Sequence, residues 1–441
     1  MRVLVAWPPH VPSYFNAGHH LPVFSAAAYL RARGHDVDAW DAGALNVHWK
    51  AFGARLAQGK YDAVILINEF DVVEGVRRAA DYARALLPGA VIVTAGRLSY
   101  QVSGFFRRLP LDAIVVSGDP EAGVAAVLDW AASGRPNRAL PGVVLRDAEG
   151  WREPAGPGVA LAAEDWALPD VAEIPYAAYE ALYADDRDKF CGIPSRRELV
   201  VPVARGCPVN CAFCDVPKMQ GRNERRLPVD RVIAYIQAAR AAHPFEYVAF
   251  YAPTFTLNRR WIVELCEAMA AHDMAMPWKC ATTLHHLDEA LVGLMARAQC
   301  RRISVGVETF ETADSGQMPK LKQISHDRFS EVAGWCRAHG VELNCFVIVG
   351  LPGTTAAGAR ATIAAIKAEG ARPRPTMYTP YHLMRDHMSE ASLSAFNRHL
   401  LVEADLAEAQ SAGDLDLTDI LFLPDGYITQ SHERIPLRRA R

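Results

Sequence analysis

The stretch RGCPVNCAFCD, residues 205–215, places Cys207, Cys211 and Cys214 within eight positions. A closed structural zinc site takes four ligands, usually as two C-x2-C pairs, and no second pair lies nearby. Disulfide pairing would leave one thiol over. The flanks decide the setting. ELVVPVARG, residues 198–206, reads as an apolar strand that ends at the cysteine loop, and VDRVIAYIQAARAAH reads as the helix that follows. The alternation continues through YVAFYAP, MPWKCATT, RRISVGVET, VELNCFVIVG and RPTMYTPY, with a helical pattern between each pair of strands. Six such units predict a partial (β/α)6 barrel of the TIM type over 198–385, with its functional groups at the carboxyl ends of the strands. The cysteine loop lies at the first of those ends.

Upstream, residues 1–133 alternate in the same way: MRVLVAW, HDVDAW, AVILIN, AVIVTA and LDAIVVSG are strand-like, with helices between them. This predicts an α/β domain with a doubly wound, Rossmann-type parallel sheet whose ligand sits outside the carboxyl ends of the strands. Those ends carry Pro8, Pro9 and His10, then Asn68 and Glu69, then Gly96 and Arg97, then Gly118 and Asp119. Residues 134–197, rich in Pro, Gly and Asp, read as a linker with short strands, and 386–441 as a C-terminal helical extension.

The 441 residues carry 47 basic and 50 acidic side chains, a formal charge of −3, with no basic block beyond the tail RIPLRRAR. That composition gives no footprint for a nucleic acid and favours a polar small-molecule partner. No apolar run approaches the ~20 residues that span a bilayer, and MRVLVAWPPH lacks a secretory pattern, so a cytoplasmic location without membrane attachment is expected. Nine cysteines, six of them scattered outside the one cluster, fit a reducing compartment.

Thiolates are the usual ligands of iron–sulfur clusters, and three of them on a four-iron cluster leave one iron open to a substrate or cofactor. A zinc knuckle, or three unrelated core thiols, would need spacing and placement to coincide by chance. C-x3-C-x2-C after the first strand of such a barrel resembles the radical S-adenosylmethionine (SAM) superfamily. The resemblance implies that Cys207, Cys211 and Cys214 hold a 4Fe–4S cluster whose open iron binds S-adenosylmethionine, which is cleaved to a 5′-deoxyadenosyl radical. It implies cofactor contacts from Phe213 between the second and third cysteines, from Tyr251 and Thr254 in YAPT after the second strand, and from Glu308 in SVGVET. In VIVGLPGTT, the turn with Gly350, Pro352 and Gly353 resembles the adenine-contact turn. Ordinary turn and surface roles for Glu308 and the glycines are the plain alternative.

FYAPTFTLNRRWIVELC, MARAQCRRISVGVETFE and LPVFSAAAYLRARGHDVDAWDA resemble the branch with an N-terminal cobalamin-binding-type domain. The balance of residues is against a bound cobalamin: D-x-H-x-x-G is missing, and Ala95, Gly96 and Arg97 stand where the branch tends to show paired glycines. The favoured reading is therefore a lyase of antibiotic biosynthesis that resembles the radical dehydratase of aminoglycoside 3′-deoxygenation, removing water from a sugar 1,2-diol. A cobalamin-dependent radical SAM C-methyltransferase is the alternative. Either chemistry implies an external electron donor such as flavodoxin, and the first also a separate NAD(P)H-dependent reductase.

Catalytic candidates at the barrel mouth are Tyr378, Tyr381, Glu69 and Arg97. Asp71, Lys279, Thr282, Asn344 and His382 join them as substrate-facing groups. The pairs His19–His20 and His285–His286 are adjacent and are not read as metal sites. Cys266, Cys280, Cys300, Cys336 and Cys345 lie in apolar patterns and read as small hydrophobes, with Cys191 in the polar linker.

Overall fold

The computed structural model describes residues 1–9, 20–69, 72–182, 190–193, 197–272, 274, 276–311, 318–394 and 396. Two sheets follow one another along the chain. The first comprises β1 (Arg2–Trp7), β2 (Asp36–Asp41), β3 (Ala63–Asn68), β4 (Val91–Gly96), β5 (Ala113–Val115), β6 (Val143–Asp147) and β7 (Gly150–Arg152), in the order β2-β1-β3-β4-β5-β6-β7. Neighbours among β1 to β5 are parallel. Strand β3, AVILIN, is buried at every position because helices cover both faces of the sheet. Strands β6 and β7 come from the segment read as linker and extend this sheet antiparallel. The short strands expected in that linker find the open edge of β5.

The second sheet comprises β8 (Glu198–Pro202), β11 (Tyr247–Tyr251), β12 (Trp278–Thr282), β13 (Cys300–Glu308), β14 (Glu342–Val349) and β15 (Arg372–Met377). Between β8 and β11 lies a small ribbon of β9 (Ala204–Arg205) and β10 (Arg225–Arg226). The six parallel strands stand in sequence order, as expected for an unclosed barrel. In β14 buried Leu343, Cys345, Val347 and Val349 alternate with half-buried Phe346 and Ile348. One face packs on helices and the other looks into the lumen. Helices start where side chains cap them: Asn258 accepts from Trp261 N, Asp288 from Leu291 N, Ser325 from Arg328 N and Thr355 from Gly358 N.

The amino end of the barrel is closed by ion pairs. Lys279 meets Glu198, and Arg302 lies 2.5 Å from Glu342, with Lys279 and Arg302 both over the Phe190 ring. The two domains meet at the carboxyl ends of their strands. Arg205 reaches Glu121 at 2.7 Å, and Arg225 reaches Asp119 at 2.5 Å. Near the C-terminal end of the described chain, Asp386 accepts from Gly104 N at 2.8 Å. Helix Glu390–Ser394 belongs to the predicted C-terminal extension, of which 397–441 lie outside the described residues.

Candidate active site

The loop between β9 and β10 carries the three cysteines. Gly206 has φ 87, and a Cβ there would overlap the Asn223 carbonyl, so close return of the ribbon requires glycine. Asn210 takes the left-handed conformation at φ 57, and Cys214 N donates to Cys211 O at 3.1 Å, which winds the loop into a tight coil. Cys207 and Cys211 are buried and Cys214 is half-buried. Burial pushes the Cys211 thiol up to about 11 and raises that of Cys214, so loading the loop with metal must release protons. Among the described residues no three His, Cys, Asp or Glu are placed to share a single ion. A cubane does not ask for that, since each thiolate takes its own iron.

Around the loop stand groups expected from the sequence. Thr254, 2 % exposed, has its hydroxyl 3.6 Å from Cys207 Sγ. Glu308 is buried at φ 63, at a break in register between Gly306 and Glu308. Its carboxylate pairs with Lys322. Lys322 Nζ lies 5.4 Å from the centre of the Phe213 ring. Burial works against the Lys322 charge, but Glu308 and then Cys211 outweigh it and raise its pKa. Lys322 was not foreseen: PKLKQ, residues 319–323, has the composition of a solvated turn. Gly350 and Gly353, at φ 79 and φ 85, shape the exposed turn after β14, with Pro352 between them.

The other wall belongs to the first domain. Arg97 Nε lies 3.1 Å from Asp215 Oδ2 and 3.4 Å from Glu69 Oε1, joining β3 and β4 to the residue that follows Cys214. Glu69 first, and Asp215 after it, hold the guanidinium charged against burial. Tyr251 is 53 % exposed, yet burial pushes its phenol up. Burial likewise raises Tyr381, which feels Asp215 and Arg97, and also Tyr378.

Two expectations are corrected, those for Lys279 and Thr282. Lys279 belongs to the ionic floor and not to the mouth. Thr282 turns away from the lumen, 2.5 Å from the Thr256 hydroxyl. His382 is exposed. Asp71, His10 and His19 lie outside the described residues. His20, set aside on sequence grounds, has Nδ1 2.7 Å from Asp41 and stacks on Trp7 at 3.6 Å. Burial works to raise Asp41, but His20 and a hydrogen bond from Tyr179 hold it low, which ties helix Tyr176–Leu182 to the first sheet.

Residues 201–366 match the radical SAM superfamily. This segment is a radical SAM domain. An uncharacterized methyltransferase of Pyrococcus horikoshii, PH0819, is 22% identical over 393 residues, spanning 86% of this chain and 81% of that protein. The radical S-adenosylmethionine methyltransferase TsrM from Kitasatospora setae superposes with a TM-score of 0.68 at 17% identity, over 86% of this chain and 72% of its own. OxsB, a cobalamin-dependent S-adenosylmethionine radical enzyme, gives a TM-score of 0.67 at 14% identity, over 92% of this chain and 56% of its own. At such identities the structural likeness is one of fold. The radical SAM domain takes a 4Fe–4S cluster and S-adenosylmethionine, and the coiled cysteine loop, which carries Phe213 and has Thr254 and Glu308 beside it, fits both. Among the described residues no helix is long and apolar enough to cross a membrane.

Proposed function

We propose that this radical SAM enzyme is a methyltransferase for a polar small molecule, with a corrinoid held between the two sheets. One observation carries the reading: the carboxyl ends of the first sheet face the cluster loop, with Arg97 spanning from Glu69 to Asp215 beside Cys214. The half-exposed Tyr251, Tyr381 and the Arg97 stem offer a flat macrocycle faces to pack on. Gly96, at φ 148, lets β4 end without a side chain. The relatives named as methyltransferases support the same reading.

Cys207, Cys211 and Cys214 would hold the cluster, and Glu308, Thr254 and Phe213 would border S-adenosylmethionine. Together the cluster and S-adenosylmethionine supply a carbon-centred radical, and a methylcorrinoid supplies a transferable methyl group. The chain's own work is enclosure and alignment. Lys322 and Glu308 hold a fixed ion pair beside Phe213, and the Arg225–Asp119 and Arg205–Glu121 contacts keep the domains closed over the mouth. An electron donor of flavodoxin type would feed the cluster.

A second reading has an observation of its own. The Arg97–Glu69–Asp215 group already joins the sheets. If that join persists during turnover, the first domain shapes the pocket and the chemistry is hydrogen abstraction from a sugar 1,2-diol with loss of water. Turnover by anaerobically reconstituted enzyme tests the choice. S-adenosylhomocysteine formed in step with a methylated product supports the methyltransferase. Only 5′-deoxyadenosine and methionine, with a product lighter by water, refutes it in favour of the dehydratase.

A further inference from the structure

The inward face of the barrel carries polar atoms without protein partners. Register sets the row: Ala281 of β12 lies beside Ser304 of β13, and Ser304 beside Asn344 of β14. Asn344 Nδ2 donates to Ser304 Oγ at 3.2 Å across this face. Thr283, two residues beyond Ala281, continues the row toward the mouth. Thr283 is 5 % exposed and Asn344 3 %, yet Thr283 Oγ1 and Asn344 Oδ1 are buried with no hydrogen-bond partner. The turn Leu284–His286 follows at once, and both ring nitrogens of His285 and Nδ1 of His286 are also buried without a partner. The two imidazoles pack edge to face at 4.1 Å. His285 feels the charge of Lys322 and His286 that of Glu224, so the turn stands between the Lys322 segment and the loop that leaves the cysteines.

Buried polar groups are nearly always paired, and each one left alone costs about 1–3 kcal/mol. Such atoms occur elsewhere in this chain too; those of Thr283, His285 and His286 follow one another at the carboxyl end of β12, and that of Asn344 lies in the row set by Ala281 and Ser304. The chemistry of the wall is neutral. Asn344 Oδ1 accepts, the Thr283 hydroxyl does both, and a neutral imidazole donates from one nitrogen and accepts at the other. Burial, then His286 and Lys322, push His285 down to about 4, so it stays uncharged at physiological pH. A ligand ammonium would gain no counter-charge from these three side chains.

We propose that Thr283, His285 and Asn344 form a subsite for an uncharged hydroxyl- or amide-bearing group of the substrate. This rests on the reading of the chain as a radical SAM enzyme of a polar small molecule. The probes are myo-inositol and N-acetylglucosamine as neutral ligands, with glucosamine and glucuronate as charged counterparts. Binding is measured by calorimetry on reconstituted holoenzyme saturated with S-adenosylmethionine. A neutral probe should bind, and Thr283→Val, His285→Phe and Asn344→Leu should each weaken it about tenfold, the loss of one good hydrogen bond. Thr283→Ser should bind as wild type, and S-adenosylmethionine affinity should change by less than about twofold throughout.

Neutral probes that bind variants and wild type alike, or that fail to bind wild type, overturn the proposal. So does a fall of about tenfold in S-adenosylmethionine affinity in the variants, which would give the subsite to the cofactor's ribose. Iron content and the effect of S-adenosylmethionine on the electron paramagnetic resonance of the reduced wild-type cluster are read from the same preparations. If these fail, the radical SAM reading falls; if they hold and the probes do not discriminate, the subsite alone falls.

Discussion

Replacing Lys322 by methionine tests whether the buried pair with Glu308 organises the cofactor wall. The side chains of Lys322 and Glu308 are 12 % and 6 % exposed, so solvent screens little of their attraction. Methionine keeps the stem over Phe213 and removes the charge, which leaves the Glu308 carboxylate buried without it. Removing one partner of a buried pair costs about 3–5 kcal/mol. Glu308 also holds φ 63, a conformation that costs a non-glycine residue roughly 1–2 kcal/mol and that the pairing helps to fix. The barrel transition in urea, followed by the fluorescence of buried Trp261 and Trp278, should therefore fall by about 3 kcal/mol in Lys322→Met. Glu308→Gln combined with Lys322→Met should recover most of that loss, because a neutral pair needs no counter-charge. Gly306→Ala reaches the pair from the other side: its Cβ would overlap Glu308 Oε1 and stand 2.6 Å from Lys322 Nζ. A Lys322→Met barrel within about 0.5 kcal/mol of wild type, or a double variant no better than the single one, would refute the reasoning.

Alanine at any one of Cys207, Cys211 or Cys214 should strip most of the iron and end S-adenosylmethionine cleavage, whereas Cys266→Ala should keep both; iron analysis and product chromatography decide. Arg97→Met should leave iron content unchanged and loosen the domain contact by about 1 kcal/mol, a figure kept small because Arg97 is 37 % exposed; an unchanged first unfolding transition would count against the bridge. For His285 the folded value of about 4 lies below the ordinary 6.5, so between those values the unfolded chain binds a proton that the folded chain does not. Stability should fall as pH drops from about 6.5 toward 4. His285→Phe should flatten that slope in melts taken across the window, and an unchanged slope would exclude His285 as its source.

What could be read in advance was whatever the chain writes contiguously. The cysteine loop is one run of eleven residues between a strand and a helix, and its ligands are neighbours in sequence. Strands buried on both faces, such as AVILIN, announce themselves by composition, and so do the six repeats of the barrel. Groups whose meaning depends on register were read less well. Lys279 and Thr282 sit in one strand-like word, MPWKCATT, and only the pairing of β12 with its neighbours shows which residue lies low in the barrel and which turns outward. Thr283 and His285 carry no pattern at all, because their distinction is the lack of a partner in a packed wall. Lys322 was hidden for the opposite reason, since a buried cation in a polar run looks like any surface lysine until its carboxylate is found.

Register also decides how the first domain meets the cluster loop of the second. In a doubly wound sheet the ligand crevice opens where strand order reverses, here between β1 and β3. Glu69 follows directly on β3, and its carboxylate reaches Arg97 at the end of β4, which reaches Asp215 next to Cys214. Three charged groups thus run from the crevice of one sheet to the cluster loop of the other. Closure of the domains is secured separately, by Arg205 and Arg225 on Glu121 and Asp119. With the halves already joined at that rim, the Arg97 contact adds only a small share to holding them together. Its position brings the carboxyl ends of β3 and β4 against Asp215, so that the mouth of the first sheet faces the residue beside Cys214.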